Sequence, residues 1–532
     1  MPELVSDTCS FDTGFENKIQ RLAIASSYAL GHLCRDPSIL LRLHRLKHFK
    51  LEDSMILPAQ EDIQNLDLVK RSLRFFRHLK LIEIIYLDVI EKNPLQQTLY
   101  HLSDLADLLI RKALEASYHN LVSKHGQPLD ENGNKIELDI IAMGKLGGRE
   151  LNFSSDIDLI CCYASDGELE GYGRLSHQEF FTRLTRLFTQ ILNESTEDGF
   201  VYRVDLRLRP WGDSGPVVLN HAALEHYYQL HGREWEQYAM VKARVVTGSD
   251  ADRKHLVSIL KPFVYRKYHD YKVFEGLATL KDKIDLQARS RGMQDNIKLG
   301  NGGIREIEFF VQAFQILKGG RNKQLQNTQI LYCLDVLQQQ KIIAAGTVED
   351  LRGAYVFLRV LENKIQMLND EQIHTCPQNP LLRERIAEVM GYPHWQALNE
   401  NLQMHRQKVG SHFAELFKRE AEPRSSMVIS DSIGDEKTGL QQIEYMTSIG
   451  LNNPEEIHRC LVTFFGSKAW SFMSARAKQR FSTLIPAILE EICRSEQQLA
   501  LFERLLNLFS SIAGRSVYFD LLYQNNALLV KL

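Results

Sequence analysis

The chain has 532 residues, 44% hydrophobic and 25% charged, with a formal net charge of −3. That length is large for one hydrophobic core and predicts two to four domains, and the near-neutral charge excludes a generally basic surface that coats nucleic acid. Eight cysteines without C-x-x-C or Cys/His zinc spacing read as reduced, partly buried thiols, and no apolar run approaches the roughly 18 residues of a membrane helix.

The N-terminal MPELVSDTCSFDTGFENK has no basic region followed by an apolar one, so a cytoplasmic protein with no membrane partner is expected. From about Phe15 to Ser123 the spacing predicts helix. IQRLAIASSYALGHLCRD carries apolar residues three and four apart, and Leu102, Leu105, Leu108 and Leu109 share a face, with Ser103 expected as an N-cap. Near His125 the texture changes. A Gly/Pro/Asn/Asp cluster precedes ELDIIAM, a first strand, and DIDLICCYA reads as a second. GFVYRVDLRLRPWG alternates strictly and predicts a third, with Val204, Leu206 and Leu208 on one face and Asp205, Arg207 and Arg209 on the other. Between the second and third, Phe180, Leu184, Leu187 and Ile191 mark an amphipathic helix. GREWEQYAMVKARVV is expected as a helix carrying Arg233, Glu234, Trp235, Tyr238, Lys242 and Arg244.

After Asp250 the pattern is helical again. Gly300, Gly302 and Gly303 precede a run in which Ile307, Phe310, Val311, Phe314 and Leu317 share a face, ending at a Gly319-Gly320 C-cap. The expected organisation is a helical region over 1–124, an α/β unit over 125–246, a helical bundle over 247–420, a linker over 421–439 and a partial helical region over 440–532. The chain closes on YFDLLYQNNALLVKL, an apolar pattern that reads as stopping within a helical domain, and no 20–50-residue repeat is present.

The chemistry concentrates in GKLGGRELNFSSDIDLI. Residues two apart on a strand point the same way, so Asp156 and Asp158 project together. Two adjacent carboxylates repel unless a cation lies between them, and hard oxygen ligands suit Mg²⁺. Asp205, on a strand that could lie alongside, completes a set that could orient an in-line phosphoryl or nucleotidyl transfer. Gly144, Gly147 and Gly148 would let backbone approach a phosphate. Lys145 and Arg149 add positive charge, and Ser154 and Ser155 offer hydroxyls. A glycine-rich loop, a D-x-D strand and a third carboxylate form the pattern of the DNA polymerase beta nucleotidyltransferase superfamily. Arg207 and Arg209 are candidate phosphate clamps, and Lys242 a candidate phosphate contact. Trp235 is either core or an adenine-stacking surface. Arg305, Glu306 and Glu308 open a helix whose N-terminus favours anions, and His374 reads as a structural loop residue.

The longer words GKLGGRELNFSSDIDLI, DGFVYRVDLRLRPWGDSGPVVL, GREWEQYAMVKARVV and NIKLGNGGIREIEFFVQAFQI resemble the glutamine synthetase adenylyltransferase/adenylyl-removing family from about residue 15 to 532. The resemblance is to its N-terminal, adenylyl-removing half, since LN follows GKLGGRE and only one such signature occurs. It implies an α+β, mostly α-helical chain with a polymerase beta-like nucleotidyltransferase domain between helical domains. It also implies phosphorolysis of adenylyl-tyrosine on glutamine synthetase, yielding ADP, under control of the signalling protein PII; the alternatives are adenylylation from ATP and a non-catalytic binding module. Carried onto this sequence, Asp156, Asp158 and Asp205 would bind Mg²⁺, and Gly147, Gly148 and Ser155 would contact nucleotide phosphates.

Overall fold

The computed structural model describes residues 11–51, 56–58, 62–169, 175–266, 295–418, 436–495, 497–513 and 519. The chain divides into two compact units, Met1–Leu416 and Phe417–Leu532.

The first unit opens with α1 (Thr13–Ala25), α2 (Ser27–Arg35), α3 (Ser38–Arg45), α4 (Leu66–Val89) and α5 (Leu95–His125). The expected single helix from Ile19 onward breaks at Ser26, which takes extended backbone and accepts the Ala29 N–H to start α2. Ser103 is not an N-cap. It lies inside α5, where its hydroxyl donates to the Leu99 carbonyl at 2.7 Å, the back-bond a mid-helix serine makes.

Next come β1 (Leu138–Ala142), the four-residue turn of helix α6 (Gly144–Gly147), β2 (Ile157–Tyr163), α7 (His177–Asn193), β3 (Val204–Asp205), β4 (Val218–Asn220), α8 (His221–Leu230), α9 (Glu234–Met240), β5 (Arg244–Val245) and α10 (Asp250–Val264). The sheet runs β3-β2-β1-β5, with β4 also paired to β2. β1 is antiparallel to both β2 and β5; β3 and β4 run parallel to the first and last residues of β2. α7 begins with a capping box between Ser176 and Glu179. Its Phe180, Leu184 and Ile191 join Leu138, Ile140, Ile157, Leu159 and Cys161 in one core with α1, α4 and α5. The helices of 1–124 and the strands of 125–246 therefore share a core.

The third expected strand is much shorter than its alternation suggests. Only Val204 and Asp205 pair; Arg209 N–H then donates to Leu206 O and Gly212 N–H to Arg209 O, so the chain turns before Pro210. Trp211 and Gly212 both take left-handed backbone, φ 59° and 58°. The GREWEQYAMVKARVV helix is likewise cut short. α9 stops at Met240, and Arg244 belongs to β5.

The rest of the unit is α11 (Ile304–Gly319), α12 (Ile330–Gln339), α13 (Ala345–Met367), α14 (Pro380–Val389) and α15 (Trp395–Lys418), around a core of Ile307, Phe310, Leu334, Leu358 and Leu402. α11 ends at Gly319 as expected, though Gly320 stays right-handed. Most of the expected 421–439 linker lies outside the described residues, and its last four belong to α16 (Glu436–Ser448). The second unit continues with α17 (Pro454–Phe465), α18 (Lys468–Phe472), α19 (Ala475–Ile492) and α20 (Gln498–Ile512), packed on Trp470, Phe481, Phe502 and Phe509. The chain is α+β and mostly helical, 64%. No helix among the described residues is long and apolar enough to cross a membrane.

Candidate active site

Parallel pairing of β3 with β2 sets Asp158 directly beside Asp205. Asp156 lies just before β2, where Ile157 N–H donates to Arg203 O at 2.9 Å. The three predicted carboxylates thus converge on one sheet edge. Burial, then the negative charges of Asp205 and Asp156, push the Asp158 carboxyl up to about 6. The other two are held by arginines. Arg203 Nε donates to Asp156 at 2.7 Å, and Arg207 grips Asp205 through Nε at 3.0 and 2.9 Å and Nη2 at 2.6 Å. Those hydrogen bonds hold Asp205 below the usual carboxylate range. Arg207 is solvent-exposed and shares the site as expected. Arg209 instead donates to Leu206 O at 2.9 Å and lies 3.5 Å from Asp213, bracing the turn.

The glycine loop plays a different part from the one its sequence suggests. Gly147 and Gly148 use their N–H groups within the turn, donating to Met143 O and Gly144 O. A β-carbon on Gly147 would meet Lys242 O at 1.9 Å and Ala142 O at 2.5 Å, and one on Gly148 would meet Thr328 O at 3.2 Å. Both glycines allow protein backbone, rather than a phosphate, to approach. Gly144 is the one that touches the site: with φ +53°, a β-carbon there would stand 2.6 Å from Asp158 Oδ2.

Lys242 is fully committed. Its buried ammonium donates to Glu150 at 2.9 Å and Glu308 at 2.7 Å, so it is not free for a phosphate. Against the cost of burial, its charge holds Glu308 down to about 2. Arg244 makes a two-toothed pair with Asp107, at 2.8 and 2.9 Å, and donates to Leu146 O. Arg149 pairs with Asp104. The loop is therefore fastened by ions on two sides.

Lys145 donates to Glu362 of α13 at 2.9 Å. Burial lowers its pKa to about 7, with Glu362 opposing the shift. Glu362 lies 3.2 Å from Arg359 and 2.8 Å from His374 Nδ1, so His374 belongs to a buried ionic cluster behind the loop. Ser154 donates to Asp370 O and accepts from Arg203, and Ser155 is buried beside it. Arg305 and Glu306 open α11, with Glu306 buried. Trp235 is 37% exposed and is not a core residue.

Sequence reading missed Lys298. It sits in the loop before α11, where Asn296 Oδ1 accepts the N–H groups of Lys298 and Leu299. Its charge acts on Asp158, Lys145 and His374. The NIKLGNGG word drew attention to the glycines, but the lysine just before them is the residue whose charge acts on Asp158. Arg203 was also missed, although it stands two residues before Asp205 and continues the Asp205-Arg207-Arg209 face.

The family model for glutamate-ammonia ligase adenylyltransferase matches residues 16–257, and that for GlnD PII-uridylyltransferase matches residues 278–417. Curated relatives named bifunctional glutamine synthetase adenylyltransferase/adenylyl-removing enzyme align along nearly the whole chain. That of Thioalkalivibrio sulfidiphilus is 37% identical over 515 residues, 95% of this chain and 53% of the relative. That of Hahella chejuensis is 36% identical over 541 residues, 100% and 56%. That of Pseudomonas aeruginosa is 38% identical over 534 residues, 96% and 54%. The chain belongs to this family. It spans about half the length of the curated relatives it matches. The carboxylate edge lies inside the 16–257 match, whereas Lys298, Glu308 and Glu362 lie inside the 278–417 match. The candidate site in this chain therefore draws on both matched segments.

Proposed function

We propose that this chain removes AMP from adenylylated glutamine synthetase by phosphorolysis, converting adenylyl-tyrosine and phosphate to tyrosine and ADP in the cytoplasm. The observation that carries the proposal is the side-by-side placement of Asp158 and Asp205 with Asp156 adjoining. Three hard oxygen donors, one of them driven toward protonation by burial and by its carboxylate neighbours, fit Mg²⁺. When bound, the metal would offset charge repulsion between an anionic nucleophile and the adenylyl phosphorus.

The remaining roles belong to the chain. Asp156, Asp158 and Asp205 would hold the metal. Arg207, exposed and paired among the described residues to Asp205, would swing to a phosphate oxygen once that carboxylate turns to the metal. Lys298 brings positive charge to the Asp158 side, which favours inorganic phosphate over a neutral tyrosine hydroxyl as the incoming group. A phosphate anion needs no general base, and the tyrosine departs as a phenolate. PII is the proposed regulatory partner, on the strength of the family resemblance.

The test incubates the chain with adenylylated glutamine synthetase, Mg²⁺ and phosphate and measures ADP. AMP incorporation from ATP with no ADP formed would reverse the proposed direction. Asp156→Asn is expected to reduce the rate by well over tenfold; a loss smaller than that, roughly 1.4 kcal/mol of barrier, removes Asp156 from the metal site.

A further inference from the structure

The face of β2 that carries Asp158 has a second cluster at its far end. Asp139 stands directly opposite Cys162 in the antiparallel β1–β2 register, so both side chains project from one face. His221, the first residue of α8, follows β4, which pairs with the same end of β2. Its Nε2 lies 2.8 Å from Asp139 Oδ2. One ligand atom each from Asp139, Cys162 and His221 lies within 4.8 Å of the other two, and all three residues are buried. Asp139 is 0% exposed, and its Oδ1 has no hydrogen-bond partner among the described residues. That carboxylate is seated against Gly248, where a β-carbon would meet Oδ1 at 1.7 Å.

We propose that Asp139, Cys162 and His221 form a structural zinc site, distinct from the carboxylate edge. Four residues of β2 separate Cys162 from Asp158, about 13 Å along the strand. The donor set is thiolate, imidazole and carboxylate, a combination that suits Zn²⁺ and not Mg²⁺. Bond lengths of about 2.0–2.3 Å place tetrahedral ligand atoms roughly 3.3–3.8 Å apart, within small side-chain adjustments of the observed spacing. His255 of α10 is exposed, with its ring centre 5.4 Å from that of His221, and would supply a fourth ligand only after turning inward. Burial raises both the Asp139 carboxyl and the Cys162 thiol, and the Asp252 carboxylate adds to both shifts. Binding deprotonates the thiol and releases that proton to solvent. The ion would tie β1, β2, α8 and α10 together on the face opposite the α5–α7 core.

The protein, untagged and never exposed to chelator, is supplemented with zinc, dialysed and assayed for metal. One zinc per chain is expected, retained in Asp156→Asn and lost in Cys162→Ser. Cobalt substitution should give the intense near-ultraviolet band of a thiolate–cobalt bond, absent from Cys162→Ser. If Cys162→Ser does not fold, the wild-type cobalt band and its loss in His221→Gln decide. No retained metal, metal without a thiolate band, or a band that survives Cys162→Ser would each overturn the site.

Discussion

Replacing Lys242 by methionine separates two roles that the sequence alone cannot. Methionine keeps the stem beside Gly148, where a β-carbon would stand 3.5 Å from Lys242 Cδ, but removes the ammonium. Glu150 and Glu308 then lose their shared cation while Lys242 and its partners stay buried from water, at 5% exposure for Lys242 and 6% and 16% for the two carboxylates. Breaking a buried pair by removing one partner costs about 3–5 kcal/mol. Unfolding entropy of about 2 cal/mol/K per residue over the Met1–Leu416 unit makes each kcal/mol worth about 1 °C, so the thermal midpoint should fall by about 3–6 °C. The pH dependence has a definite sign. Glu308 titrates at about 2 in the folded chain, below the usual glutamate value of about 4.3, so it contributes stability above that value. That contribution is lost as pH falls from about 5 toward 2, and the gap between wild type and variant should close in the same window. Adding Glu308→Gln to Lys242→Met should recover part of the loss, because one orphaned charge is gone. Scanning calorimetry of the first transition measures all three. An unchanged midpoint together with a raised KM for phosphate would refute the structural role and return Lys242 to the phosphate.

Gly144→Ala should weaken the metal site: left-handed backbone costs an alanine about 1–2 kcal/mol, and its β-carbon would press on Asp158 Oδ2 from 2.6 Å. Mg²⁺ titration of activity should show a raised half-saturation point, and an unchanged one would remove Gly144 from the site. Asp158 titrates at about 6 in the folded chain, above the usual aspartate value of about 3.9. Its ionised form therefore opposes folding above pH 6, and the metal-free protein should gain stability as pH falls from about 7 to 4. Mg²⁺ should raise the thermal midpoint at pH 8 but not at pH 5, and Asp158→Asn should abolish both effects.

The two long strands were legible because their period-2 apolar pattern belongs to one segment each. β1 and β2 fall where ELDIIAM and DIDLICCYA put them. Asp205 was found by the same alternation, although only two residues of that run pair with β2. The backbone turns right after Asp205, where Arg209 N–H reaches back to Leu206 O, and alternation of side-chain polarity cannot register a backbone that turns away. The glycines were found for a correct reason, close approach, but with the wrong partner: Lys242 O and Thr328 O crowd them. The ionic cluster was invisible because its partners are remote. Lys145 meets Glu362 217 positions away and Lys242 meets Glu150 92 positions away. Charge pairing of that range has no sequence period.

The same remoteness sets what counts as the catalytic unit. The α/β segment of 125–246 supplies the three carboxylates, yet Lys145, on the turn that follows Gly144, is held by Glu362 on α13. The loop that carries Gly147 is pressed by Lys242, whose charge is balanced by Glu308 on α11. Cutting the chain after residue 246 would leave Lys145 and Lys242 with fewer buried partners and would remove Lys298 altogether. Unpaired buried ions are costly enough to decide folding. The bundle of 295–418 is therefore a wall of the site, and a force that shifts α11 or α13 moves the ion pairs behind Asp158.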